Sequence, residues 1–244
     1  MAKKYDYLWK GIVEDLFEYL LRFLYPAADK VFDLSRGVTF LDAELEQLFP
    51  PEDDEYTPKV VDKLAKLYTR DGREEWVLLH IEIQGQYRQD FAKRMLTYYT
   101  RILDKYDRPI TAYAILTEGS RKLRPNSYER LFLGKRLLYE YNVFKVAEQD
   151  EERLYADENP FALAVLVAKA AFAGKKIGDR RERDNVLLET KRRLMHAMLG
   201  RDIPKDKIRS LIIFLTYYVN FRLLKFFFKG SRETDKLAVC ASLS

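Results

Sequence analysis

The sequence predicts an α/β protein with a mixed sheet core flanked by helices, followed by an all-helical C-terminal extension. Three observations predict it. Two runs rich in Val, Leu, Ile and Tyr flank an Asp71-Gly72 turn signal. A strand–helix–strand run follows the hairpin, which favours parallel pairing. From about Asn159 onward only helical spacing is found. The expected division is a sheet domain over residues 1–150 and a helical region over 151–244.

Composition is that of an ordinary globular chain: 244 residues, 48% apolar, 14% aromatic and 33% charged. The formal charge of +5, from 43 basic and 38 acidic side chains, is compatible with a phosphate-backbone partner but does not demand one. Cys240 is the only cysteine, so no disulfide forms within one chain, which fits a reducing compartment. His80 and His196 are the only histidines, which excludes a Cys/His zinc site. The opening MAKKYDYLWK lacks the uninterrupted apolar run of a secretory signal. Leu211 to Phe228 is strongly apolar but contains Asn220, Arg222 and Lys225, and reads as a core helix rather than a membrane span. The expectation is a cytoplasmic protein with no membrane partner.

Taken in order, Leu8 to Tyr25 shows helical spacing through Trp9, Ile12, Val13, Leu16, Leu20 and Leu24. Asp6 is the expected N-cap and Pro26 marks the exit. Glu14 and Glu18 share one helix face. A short strand is expected around Val31 to Leu34, and Pro50 to Pro58 reads as a solvated acidic connection.

The hairpin runs through Lys59–Thr69 and Glu75–Gln84. In its second strand Val77, Leu79, Ile81 and Ile83 face one way, and Trp76, Leu78, His80, Glu82 and Gln84 the other. Asp62 joins the second face only if the turn has an odd count. A three-residue loop Arg70-Asp71-Gly72, with Gly72 in the left-handed region, sets Asp62 opposite His80. A two-residue loop sends Asp62 to the opposite face.

Asp90 to Tyr106 returns to helical spacing through Phe91, Met95, Tyr98, Ile102 and Leu103. Pro109 to Thr117 reads as a buried strand, and Asn142 to Val146 as a further one. Asn159-Pro160 is a cap with proline at the first helical position, and Gly174 is the expected stop. Helices over Arg180–Leu199 and Lys205–Lys229 complete the chain.

Two carboxylates on neighbouring strands suit a hard divalent cation such as Mg²⁺, which prefers oxygen ligands. Such an ion activates water and stabilises charge on a phosphate. The run from Asp62 to Tyr106, DKLAKLYTRDGREEWVLLHIEIQGQYRQDFAKRMLTYYTRILDKY, resembles the signature of the Rpn-type recombination-promoting nucleases and transposases, a branch of the PD-(D/E)XK superfamily. YDYLWK at Tyr5–Lys10, LDAEL at Leu41–Leu45 and NPFA at Asn159–Ala162 are similar too. The resemblance spans roughly Tyr5 to Phe228 and implies a restriction-endonuclease-like core.

It implies further that Asp62 and Glu82 bind Mg²⁺ (or Mn²⁺), helped by the backbone carbonyl of Ile83. Gln84 stands where the superfamily usually has lysine. A carboxylate of the first helix completes such sites, with Glu14 favoured over Glu18. Arg94 and Tyr98 match the following helix, as phosphate contacts or as supports. The expected activity is metal-dependent endonucleolytic hydrolysis of DNA, associated with mobile elements or recombination, with a homo-oligomer left open. A second expectation, motivated by Gln84, is a catalytically silent DNA-binding or interaction protein on the same fold. A third is a nuclease of stress or defence acting on other nucleic acids.

Ordinary structural roles stand beside these. Glu-x-Gln on a strand usually marks a solvated face, Asp62 could answer Lys63 or Lys66 at a sheet edge, and Arg94 could pair with Asp90. The basic stretch through Arg180, Arg181, Arg183, Lys191, Arg192 and Arg193 is interleaved with Glu182, Asp184 and Glu189, and reads first as a solvated helix face. Tyr217, Tyr218, Phe221 and Phe226 to Phe228 read as core or interface. No phosphate-binding GxxxxGK[ST] loop, Rossmann fingerprint or GxSxG elbow is present.

Overall fold

The computed structural model describes residues 2–48, 60–82, 90–108, 110–119, 122–173 and 177–219. The chain divides into two units: Met1–Lys10 with Phe17–Gln149, and Gly11–Leu16 with Asp150–Ser244.

The first unit is built on a five-stranded mixed sheet, with strands β1 (Thr39–Phe40), β2 (Val60–Tyr68), β3 (Glu74–Glu82), β4 (Ile110–Leu116) and β7 (Asn142–Lys145) in the order β1-β2-β3-β4-β7. β1, β2 and β3 are antiparallel neighbours, whereas β4 runs parallel to β3 and to β7. Helix α5 (Phe91–Tyr106) makes the crossover from β3 to β4. Its Phe91, Met95, Tyr98 and Ile102 recur at helical spacing and pack on Leu64, Trp76, Leu78, Ala112 and Ala114 of the sheet. Asp107 ends α5 in the left-handed region at φ 49°, its N–H donating to the carbonyl of Leu103.

The opposite sheet face is covered by α2 (Phe17–Leu24). Phe17 meets Phe40 edge-on at 5.4 Å, and Phe23 meets Phe144 at 5.5 Å. Phe40 lies opposite Ala65, and Phe144 opposite Ile115, on the face turned away from α5. The sheet is therefore sandwiched between helices, as binary patterning of two buried faces requires. On that second face the buried Lys63 pairs with Asp42 of α4 (Asp42–Leu48), and its ammonium lies 5.1 Å from the Phe40 ring centroid.

Three expectations are corrected. The first helical stretch is two helices, α1 (Ala2–Asp15) and α2, with a turn at Leu16. Asp6 lies inside α1 and is not its N-cap. Val31 to Leu34 is not a strand: α3 (Ala28–Val31) is followed by an isolated bridge from Phe32 to Thr69 and a 3-10 turn at Leu34–Arg36. The N–H of Phe32 is held by the carbonyl of Ala28 at 2.7 Å, which extends the α3 turn instead of a ladder. A hairpin that the sequence reading lacks, β5 (Ser127–Phe132) and β6 (Lys135–Glu140), forms a separate two-stranded sheet between β4 and β7.

In the second unit α6 (Glu151–Ala156), α7 (Pro160–Ala173), α8 (Arg180–Leu199) and α9 (Lys205–Tyr218) follow one another. Asn159 caps α7, its side-chain oxygen accepting from the N–H of Phe161 at 2.9 Å. Asp179 caps α8 through the N–H of Glu182 at 2.8 Å. Much of the α8 basic stretch is answered within the unit. Arg180 faces Asp184, Arg192 faces Glu189, and the Arg193 guanidinium lies 3.9 Å from the Tyr155 ring centroid. Tyr218 is buried and stacks on Phe214 at 4.8 Å. Gly174, residues 49–59 and residues 220–244 lie outside the described residues. No described helix is long and apolar enough to cross a membrane.

Candidate active site

The site begins at the turn. The N–H of Thr69 donates to the carbonyl of Arg73 at 2.8 Å, and that of Gly72 returns to Thr69 at 2.9 Å. Gly72 sits at φ 86°, a region open to glycine and costly for other residues. The Thr69 hydroxyl bonds the Asp71 carboxylate, and the Arg73 N–H donates to the same hydroxyl oxygen at 3.0 Å. The Asp71 carboxyl is held below its ordinary range, first by the Thr69 hydroxyl and then by Arg73. The loop is thus the three-residue form, and its odd count sets the register.

In that register Asp62 is paired with His80 and Val60 with Glu82. Carried across the sheet, one row is Asp62, His80, Ala114 and Val143. The next is Val60, Glu82, Leu116 and Lys145. Both rows belong to the α5 face. The positions of Asp62 and Glu82 are diagonal neighbours on adjacent strands, a relation that sets residues about 7–8 Å apart with their Cβ atoms somewhat closer. Their side chains, and all of Ile83 and Gln84, lie outside the described residues.

His80 fills the middle of this face and is 0% exposed. Its ring meets Phe91 at 5.2 Å and Tyr98 at 5.8 Å. Arg94, one turn into α5, places Nη2 3.1 Å from His80 Nε2. A guanidinium only donates, so Nε2 accepts and the proton of a neutral ring resides on Nδ1. Among the described residues, Arg94 Nε is buried without a hydrogen-bond partner. A half-buried cation is therefore held over the row that contains Asp62, one row from Glu82.

Tyr98 is buried, its ring 5.8 Å from that of His80. Glu14 is exposed on the part of α1 that groups with the second unit. Glu18 is engaged by Arg22 at 3.5 Å, while Arg22 Nε also holds Asp29 at 2.9 Å. Lys145, the cation in the Glu82 row, is buried; it donates to the Lys122 carbonyl and pairs with Glu148 at 2.9 Å.

The pairing of His80 with Arg94 was not anticipated. Its signal was present, because period two already set His80 between Leu78 and Glu82 on the helix-bearing face. What sequence spacing lacks is the height of α5 over the strand, which decides whether residue 94 or a neighbour reaches the ring. No protein-family model matches the chain, no curated protein matches it, and no solved structure matches it. Functional assignment therefore draws on the residues and their register.

Proposed function

We propose that this chain is a metal-dependent DNA endonuclease of the recombination-promoting type, on a PD-(D/E)XK nuclease fold. The observation that carries the reading is the register, with Asp62 and Glu82 at diagonal positions on adjacent strands of the face that bears α5. Two oxygen-donor carboxylates at this spacing fit a hard cation, Mg²⁺ or Mn²⁺, with the Ile83 carbonyl as a further donor. When bound, that ion supplies Lewis-acid charge at the scissile phosphate and lowers the cost of forming hydroxide.

The chain's own residues then divide the work. Asp62 and Glu82 would hold the cation through their carboxylate oxygens. Gln84 orients the attacking water or a phosphate oxygen through its amide. Arg94, steadied by His80, offers a charge-assisted hydrogen bond to a non-bridging phosphate oxygen. The water oxygen attacks phosphorus, the bond to the leaving oxygen breaks, and the leaving oxygen takes up a proton.

A plasmid-nicking assay with purified protein tests this, run in Mg²⁺ beside EDTA, Asp62→Asn and Glu82→Ala. Nicking that needs both the metal and the two carboxylates is the expected result. Nicking retained in both variants sinks the assignment. DNA binding without nicking by the wild type would instead favour the catalytically silent DNA-binding reading, which the uncharged Gln84 motivates. RNA of matched length run in parallel separates DNA from RNA as substrate.

A further inference from the structure

The β5–β6 hairpin belongs to the first unit, and the proposed site does not use it. Its turn is the two-residue Leu133-Gly134, at φ 45° and 73°. Its base is fixed: Tyr139 packs on Tyr99 of α5 at 5.0 Å, and Tyr141 donates its hydroxyl to the Pro125 carbonyl at 2.8 Å. Burial and neighbouring Tyr99 push the Tyr139 hydroxyl up to about 12. Beyond that base the ribbon carries its apolar side chains in the open. Leu131, Phe132 and Leu133 are 69%, 62% and 83% exposed, and Leu137 and Leu138 are exposed as well. Leucine at a positive φ is itself disfavoured, so the tip keeps an apolar residue where Asn or Gly would fit better.

Charge selects the occupant. From Arg130 to Arg136 the sequence is RLFLGKR, with three cations and no carboxylate. Glu129 answers Arg136 at 2.7 Å, and the Arg130 guanidinium lies 5.7 Å from the Phe132 ring centroid. The tip stays net positive. A second copy of the same tip would repel it, whereas a polyanion would be drawn to it. Apolar wedges flanked by Arg and Lys are the means by which β-ribbons press between base steps and grip the adjoining phosphates.

We infer that the β5–β6 hairpin is a duplex-DNA-engaging arm, with Leu131, Phe132 and Leu133 as the wedge and Arg130, Lys135 and Arg136 as phosphate contacts. The inference rests on the proposed DNA-directed reading but not on cleavage. It gives that reading a second contact zone, in the same unit as Asp62 and Glu82.

The test uses the full chain in EDTA, so that cutting cannot intervene, with a 30-base-pair duplex (a length of about three helical turns) carrying a fluorophore at each end. The apolar variant is Leu131→Thr/Phe132→Thr/Leu133→Asn. All three sites are exposed, and Asn tolerates the left-handed turn position, so melting temperature should hold. The basic variant is Arg130→Gln/Lys135→Gln. We expect the apolar variant to bind about tenfold more weakly, to lose the bend-dependent energy transfer between the duplex ends, and to keep the salt slope. The basic variant should lose about two units of that slope.

Wild-type affinity and energy transfer in the apolar variant would overturn the inference. So would a wild type that does not bind duplex. A wild-type dimer that the apolar variant turns monomeric, with DNA binding intact, would assign the arm to self-association instead. Binding to anionic vesicles that depends on the wedge, again with DNA binding intact, would assign it to a lipid surface. Arm-dependent binding by a protein that never nicks would leave the inference standing and remove only the nuclease.

Discussion

Replacing His80 tests whether the buried pair it forms with Arg94 is a unit. His80→Leu keeps the apolar contacts to Phe91 and Tyr98 but removes the acceptor that Arg94 Nη2 meets at 3.1 Å. Arg94 Nε has no partner among the described residues, so the half-buried guanidinium would be left unanswered at Nη2 as well. A hydrogen bond to a charged group contributes about 1.5–3 kcal/mol, and an unanswered buried polar group costs a similar amount. Arg94→Met removes the donor at Nε2 and costs about 1–3 kcal/mol for the same reason. In the double variant both polar partners are gone together, so its loss should fall short of the sum of the singles by about 1.5–3 kcal/mol.

Urea unfolding followed by tryptophan emission reads this directly. The protein's two tryptophans, Trp9 and Trp76, both belong to the first unit, so the signal isolates the fold that carries the pair. His80→Gln, whose side-chain oxygen can accept in the place of Nε2, should recover much of the His80→Leu loss. Additive singles, with a coupling under about 0.5 kcal/mol, would refute the pairing as an energetic unit.

Two further outcomes follow from the geometry. Gly72→Val, at φ 86°, should cost about 1–2 kcal/mol in the same unfolding assay, and a variant as stable as wild type would show that the turn does not hold its left-handed form. Burial lowers the Lys191 ammonium to about 8 from its ordinary 10.5. The unfolded chain therefore binds more protons than the folded chain between about pH 8 and 10.5, and this group's contribution to stability rises across that window. Lys191→Met should raise the melting temperature at pH 7 and flatten that rise; an unchanged slope would count against the half-buried placement.

Legibility in the sequence followed the strength of local chemistry. Asp71-Gly72 announced the turn but left an odd and an even loop open, and the three-residue form with Gly72 at positive φ is what pairs Asp62 with His80. Asn159-Pro160 marks its helix because a side chain answers a specific orphan N–H. The turn at Leu16 was invisible because apolar spacing runs through it unbroken, from Ile12 and Val13 to Phe17, Leu20 and Leu21. The β5–β6 ribbon was illegible for the opposite reason. Neither of its faces is consistently apolar, and its turn has one glycine beside a leucine that rarely adopts such a conformation.

Gln84 brings no positive charge to the proposed phosphate, so the charge must come from elsewhere if the site is to hold a scissile diester. The described α5 face places two cations near the rows in question, and they are not equivalent. Lys145 shares the Glu82 row, but its ammonium is committed to the Lys122 carbonyl and to Glu148. Diverting it to a ligand would leave those acceptors unanswered. Arg94 sits over the Asp62 row with its Nε unpaired among the described residues, and the buried His80 holds its Nη2. Ordering of that side chain is already accounted for in the folded state, so less entropy remains to be lost when phosphate arrives. On the proposed reading, the helix therefore contributes the charge that the strand motif lacks. The same pairing that stabilises the first unit then prepares it for an anion.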